Sequence, residues 1–393
     1  MIYLDSAATM ARTNMDDLII DEIVKAMKES WYNPSSLYES SVEVKYKIEE
    51  ARKVIADYIN AEPEEIYFTS GASESNNWMI QGFLNRYNQH KTVFLTSTIE
   101  HKSITECAKA HLFKSEFIPV NNEGVFNIDL MKSILELYPS DFKKLVSVQL
   151  VNNELGVIQN IKEIADTVHE YSGIMHSDAT QALGKMKIDV KKLGVDALSL
   201  SGHKLSPVLR GIGILYLRKG IEIKPLIYGS QEKNLRGGTE NTYLILGLAR
   251  AIELQKEKER IISLNNISLL DKRNYFLYNL KQVCKFKVNE LFEQTVPNII
   301  SITFDHNVTA ESLLYMLDLE GVCVSTGSAC NSQSIEGSRV LRAIGLSKED
   351  ILRTIRISLN DEINYETIDI IVDKIGKAIK LTEMTEEGSL DVL

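Results

Sequence analysis

Along the first half of the chain, short apolar runs alternate with longer stretches in which apolar positions recur every three or four residues. The runs Glu65–Thr69 (EIYFT), Thr92–Thr96 (TVFLT), Phe117–Val120 (FIPV), Leu145–Leu150 (LVSVQL), Gly173–His176 (GIMH) and Ala197–Leu200 (ALSL) predict strands. Between most of them lie stretches of helix length, such as Ser73 to Tyr87 and Ile161 to Tyr171. This alternation predicts an α/β domain built around a mostly parallel sheet. The pattern changes after Thr239. From about Asn241 to Val283 the chain predicts long helices, and Glu253–Arg260 (ELQKEKER) has the charge spacing of a solvated helix face. Beyond it, Asn298–Phe304 and Thr354–Ser358 predict strands of a smaller α+β domain, closed by a helix from Glu362 to Leu381. The expected division is a large domain over residues 15–255 and a small domain made of residues 1–14 and 256–393.

Composition narrows the function classes. With 393 residues, 44% of them hydrophobic, the chain can bury a sizeable core and divide into two domains. A formal charge of −10, from 44 Lys and Arg against 54 Asp and Glu, argues against a general nucleic-acid or membrane-surface binder. The start MIYLDSAATM carries no basic leader, and no later segment has the roughly 18 uncharged apolar residues of a membrane span, so the expected location is the cytoplasm. The four cysteines, Cys107, Cys284, Cys323 and Cys330, form no C-x-x-C pair and are too sparse for a disulfide scaffold or a zinc cluster. Cys107, Cys284 and Cys323 lie in helical or apolar surroundings and are expected to pack. Cys330, in STGSACNSQS, sits among small polar residues suited to an exposed segment and a reactive thiol.

In open α/β sheets, ligands bind beyond the carboxyl ends of the strands. Here the strand exits read SGASESNN (70–77), EHK (100–102), VNNELG (151–156), DATQ (178–181) and SGHK (201–204). The first is a small-residue turn opening a helix, which offers backbone N–H groups and hydroxyls to an anion. An amine at Lys204, a carboxylate at Asp178, an imidazole at His101 and amides at Asn153 and Gln181 complete the set. Pyridoxal phosphate uses each of these: an amine for the imine, a carboxylate for the ring nitrogen, a nest for the phosphate.

The motifs LDSAAT, NPSS, FTSGASESNN, STIEHKSI, VNNELGVIQ, HSDATQ, SLSGHK, LRGGT, STGSAC and IRISL occur in the order found in NifS/IscS-type cysteine desulfurases, and the resemblance runs from residue 3 to about 380. It implies the PLP-transferase fold type I and conversion of L-cysteine to L-alanine, with the sulfur passing to an active-site cysteine and then to an acceptor protein for iron–sulfur cluster assembly or tRNA thiolation. By this resemblance Lys204 is the Schiff-base lysine, Cys330 the sulfur-accepting nucleophile, and His101 the imidazole that stacks on the ring and shuttles protons. Asp178 partners the pyridine nitrogen; Asn153 and Gln181 approach the phenolic oxygen. Ala72, Ser73, Ser201 and His203 bind the phosphate, together with Thr239 from the other subunit of a homodimer. Arg356 grips the substrate carboxylate, a task suited to its planar fork, and Asn33 lies near the substrate. Departures fall at 9–13, 205–210 and 229–238: LSPVLRGIG follows Lys204 where the family usually has a glycine-richer loop, and Gly237 stands where serine is usual. Another activity of the class V aminotransferase group, to which that family belongs, such as an aminotransferase or selenocysteine lyase, or a weakly catalytic paralogue serving sulfur metabolism as a partner protein, stays open on these residues.

Overall fold

The computed structural model describes residues 1–110, 114–265, 268–290, 292–306, 308–326 and 337–390. Its strands are β1 (Ile2–Tyr3), β2 (Ile66–Thr69), β3 (Thr92–Ser97), β4 (Lys114–Ile118), β5 (Lys143–Ser147), β6 (Ile174–Asp178), β7 (Ala197–Ser201), β8 (Gly213–Leu217), β9 (Phe286–Val288), β10 (Ile299–Phe304), β11 (Val322–Cys323) and β12 (Thr354–Ser358). Seven form one sheet in the order β2-β8-β7-β6-β5-β3-β4. Only β8 runs against its neighbours, so β2 and the five parallel strands all point their carboxyl ends the same way. Side chains alternate between faces along each strand. On β3, Val93 and Leu95 enter the main core, to which the helices Met15–Glu29, Glu39–Ile59 and Thr242–Asn265 also contribute, whereas Phe94 packs with Trp78, Met79 and Phe83 on the other face.

The smaller unit is an antiparallel sheet, β12-β10-β9, whose inner face carries Ile300, Ile302, Ile355 and Ile357 against the helices Leu269–Val283, Ala310–Leu319 and Tyr365–Leu390. Leu4, fully buried, joins this second core from the N-terminus, where β1 pairs in parallel with β11. The architecture is thus a large, mostly parallel α/β unit with a smaller α+β unit.

β5 covers Lys143–Ser147 instead of the expected Leu145–Leu150, and two further sheet strands depart from the sequence expectation. β4 covers Lys114–Ile118 instead of Phe117–Val120, because it is the sheet edge. Its polar residues sit half-exposed there, and Pro119, with no N–H to donate, ends the pairing. The other is β8, absent from the expected set and inserted in reverse between β2 and β7. Its first residue must be glycine, since a Cβ on Gly213 would lie 2.5 Å from the Gly71 Cα. The closing helix starts at Tyr365 and continues to Leu390, past the expected end at Leu381. Cys107 and Cys284 are buried as expected, while Cys323 is only half-buried.

Candidate active site

Beyond the carboxyl ends of the parallel strands lies a cavity of about 820 Å³. Ten expected site residues line it: Ala72, Ser73, His101, Asn153, Asp178, Gln181, Ser201, His203, Lys204 and Arg356. Asn33 and Thr239 do not; both are exposed elsewhere, Asn33 in a turn where its Oδ1 accepts the Ser35 N–H at 2.9 Å. Cys330 lies outside the described residues.

Lys204 is placed by a short turn. After β7, Gly202 folds so tightly against Ile212 and Leu209 that a Cβ there would lie 2.8 Å from one side chain and 2.9 Å from the other's carbonyl oxygen. Lys204 follows, buried, and its Nζ donates to the carbonyl oxygens of Ala7 at 2.5 Å and Ala8 at 2.8 Å. Burial, followed by the Arg356 guanidinium, pushes its pKa down to about 7, against the opposing pull of Asp178 and Asp5. A sizeable fraction is therefore neutral, nucleophilic amine at physiological pH. Capture of an added aromatic aldehyde by the cofactor-free protein should speed up about tenfold per pH unit below 7 and level off above it. Stopped-flow absorbance measures this, and a rate that rises steadily to pH 10 contradicts it.

The helix Ala72–Leu84 opens on the cavity, so its unpaired first-turn N–H groups form an anion cradle beside Ser73 and Ser201. Glu74 steadies the turn: it accepts the Ser70 N–H at 2.8 Å and the Arg236 fork at 2.8 and 3.1 Å. His203, bonded to Ser201 Oγ at 3.2 Å, is pushed down to about 4 by burial and by Lys204, and is neutral at the cradle. Asp178 ends β6 with each carboxylate oxygen engaged, Oδ1 by the Thr180 N–H at 3.0 Å and Oδ2 by Asn76 Nδ2 at 2.8 Å.

His101 stands immediately before the helix Lys102–Ala110, and its Nδ1 accepts the Ser103 N–H at 3.2 Å. Its ring lines the cavity and is exposed there. Burial holds it below the usual histidine range, and Lys204, Arg339 and Lys102 add to the fall while Asp178 opposes it. Arg356, on β12, brings a cation from the smaller unit: Nη2 donates to Asp5 Oδ1 at 2.6 Å and Nη1 to the Asn153 carbonyl at 2.9 Å. Its backbone exchanges hydrogen bonds with Ser325, shortly before the segment that contains Cys330.

Several participants were not anticipated. The Ala7 and Ala8 carbonyls act through the backbone and leave no mark in a side-chain pattern. Asp5, inside LDSAAT, holds Arg356; Gln181 Nε2 donates to the Ala7 oxygen at 2.8 Å, so residues 5–8 strap the site. Glu100 is fully enclosed beside His101, where burial pushes its carboxyl up to about 8 against hydrogen bonds from Ser97 Oγ and the Gln149 N–H. Its position in EHK gave the only sequence signal.

Fold and cavity together define a lysine-centred α/β enzyme of the pyridoxal-phosphate type. The family model for "Aminotransferase class-V" matches residues 2–371. The cysteine desulfurase IscS of Methanosarcina thermophila is 38% identical over 389 residues, which span 98% of this chain and 93% of that protein. A solved NifS-like protein has a TM-score of 0.86 at 31% identity, over 97% of this chain and 99% of its own. SspA, solved in complex with cysteine, has a TM-score of 0.77 at 31% identity, over 91% of this chain and 99% of its own. The chain belongs to the aminotransferase class-V family and, within it, to the NifS/IscS-type cysteine desulfurases.

Proposed function

We propose that this protein is a homodimeric cysteine desulfurase in which pyridoxal phosphate is held through Lys204 and sulfur leaves L-cysteine on Cys330, yielding alanine and a persulfide. The observation that carries this reading is a buried amine, Lys204, sharing one cavity at the strand exits with Asp178 and with an arginine from the second unit. The donor set suits the cofactor. A helix N-terminus with Ser73, Ser201 and neutral His203 matches a phosphate, and Asp178 matches a protonated ring nitrogen. When bound, pyridoxal phosphate supplies an electrophilic aldehyde and an electron-withdrawing ring.

The chain's own groups divide the remaining work. Arg356, its guanidinium already oriented by Asp5 and the Asn153 carbonyl, receives the cysteine carboxylate. Lys204 and His101 move protons at the substrate carbon atoms; burial brings the amine down to about 7 and holds the imidazole below its ordinary value. The Cys330 thiolate attacks the substrate sulfur: an S–S bond forms, the Cβ–S bond breaks, and the carbon takes up a proton to become the methyl group of alanine. The persulfide then passes to an acceptor protein, for iron–sulfur cluster assembly or tRNA thiolation, in the cytoplasm.

Thr239 is exposed and away from the cavity, on the loop that Arg236 ties to Glu74, which supports its service to the site of a partner subunit. Exposed Trp31, Leu37, Tyr38 and Tyr228 offer apolar surface for such an association. Mixed dimers of Thr239→Ala and Lys204→Ala chains should regain about a quarter to a half of wild-type turnover from one intact site, although each parent is impaired. Failure to regain any counts against a shared site.

The decisive experiment is intact-protein mass spectrometry after brief exposure to L-cysteine. One added sulfur on Cys330, absent from Cys330→Ser, with one alanine released per sulfur bound, is the expected result. Amino transfer to a keto acid without a persulfide would replace this reading with an aminotransferase.

A further inference from the structure

Asn76 lies fully buried in the helix Ala72–Leu84, and its single amide nitrogen reaches two partners: Asp178 Oδ2 at 2.8 Å and Ser103 Oγ at 2.9 Å. Its amide oxygen is buried with no hydrogen-bond partner among the described residues. The amide cannot be turned over to relieve this, because a carboxylate only accepts and the nitrogen must face Asp178. A buried acceptor left without a donor is costly, so the arrangement is not one that maximises stability.

The remaining hydrogen bonds follow from this one. With an Asn76 N–H on its oxygen, the Ser103 hydroxyl points its own proton at His101 Nδ1, 2.8 Å away. The Ser103 backbone N–H donates to the same ring nitrogen at 3.2 Å. Nδ1 therefore receives two donors and carries no proton itself, which leaves the proton of the neutral imidazole on Nε2.

We propose that Asn76 and Ser103 are positioning residues that tie the Asp178 carboxylate to the tautomer of His101, keeping the His101 proton on Nε2. The proposal rests on the reading of Asp178 and His101 as cofactor contacts. Asp178 is fixed at both oxygens, Asn76 is fixed by Asp178, and Ser103 is oriented by Asn76, so the ring-nitrogen partner and the proton-shuttling imidazole are set by one continuous chain of donors. With the other tautomer, Nε2 would present a lone pair in place of a proton.

The test uses the cofactor-loaded protein labelled with ¹⁵N-histidine, the His101 signals being assigned by their loss in His101→Gln. In the wild type the Nε2–H tautomer dominates. Ser103→Ala removes the closer donor and is expected to lower the tautomer ratio about fivefold, the effect of one neutral hydrogen bond. It should reduce kcat several-fold while KM for cysteine stays within about twofold, and Ser103→Thr should restore both. Asn76→Leu should give a similar shift, and the double variant should be no worse than the poorer single one, since the two act as one unit. Wild-type spectra and kcat in Ser103→Ala, or losses that simply add in the double variant, overturn the proposal. If His101→Gln is impaired and Ser103→Ala is not, the relay alone falls; if His101→Gln keeps full kcat, the reading of His101 falls and takes the relay with it.

Discussion

Lys204→Ala is expected to lower alanine formation from cysteine by at least about a thousandfold and to remove the visible absorbance that a lysine-bound pyridoxal cofactor gives the purified protein. The size of the effect follows from the absence of a substitute. Lys102 and Lys109 line the cavity with their side chains exposed, Lys109 paired with Glu106, and Lys185, a further nearby amine, reaches Met10 Sδ instead. Small added amines should recover part of the rate, because the variant leaves space where the side chain was. Unfolding will not explain the loss. Burial lowers the folded-state pKa of Lys204 from 10.5 to about 7, so between about pH 7 and 10.5 the unfolded chain binds more protons than the folded one. That linkage makes the cofactor-free wild type gain stability relative to Lys204→Ala as pH rises from about 7 towards 10.5, and gives the variant no disadvantage below it. Denaturant titrations of the two cofactor-free proteins at pH 7 and pH 9.5 check the sign. A variant that kept the absorbance and more than a tenth of the activity would remove Lys204 from its role.

What was legible before the structure depended on whether a residue's chemistry lies in its side chain and whether its neighbours in sequence set its direction. Asp178 and Lys204 end or closely follow β-rich runs, so period and position alone brought them to one edge of the sheet. Arg356 was different. On β12 it reads as an ordinary strand residue, and only the family resemblance suggested a substrate contact; its contact with Asp5 joins positions 351 residues apart. Asn76 looks like any polar residue in a helix, since its two partners come from β6 and from the helix after His101. The Ala7 and Ala8 carbonyls carry no side-chain signal at all. Strand β8 escaped because a reversed strand between two parallel ones is set by long-range pairing, and β4 because an edge strand tolerates Lys114 and Glu116.

The loop at Gln231–Asn234 is the clearest case of structure that local propensity would not supply, and it carries the second large prediction. Glu232, Lys233 and Asn234 all have positive φ, at 43°, 60° and 66°, a conformation that only asparagine among them adopts readily. A buried clamp holds them there. Glu232 receives both terminal nitrogens of Arg52 at 2.9 Å and the Phe68 N–H of β2 at 3.0 Å. Arg52 also donates to the Ile66 carbonyl at 2.7 Å. Glu232→Ala leaves the Arg52 guanidinium buried with the exposed Glu49 as its remaining ion-pair partner among the described residues, a change that should cost about 3–5 kcal/mol in denaturant unfolding. Release of the clamp also lets the backbone relax to negative φ and drags Arg236 from Glu74, so the anion cradle and the Thr239 loop should loosen together. Faster loss of pyridoxal phosphate on dialysis would report that second effect. Replacing both partners, Arg52→Met with Glu232→Met, removes the stranded charge and should recover most of the stability, yet not the cofactor retention, because no carboxylate remains to hold the strained turn. If Glu232→Ala unfolds within about 1 kcal/mol of the wild type, the ion pair is not what holds the loop.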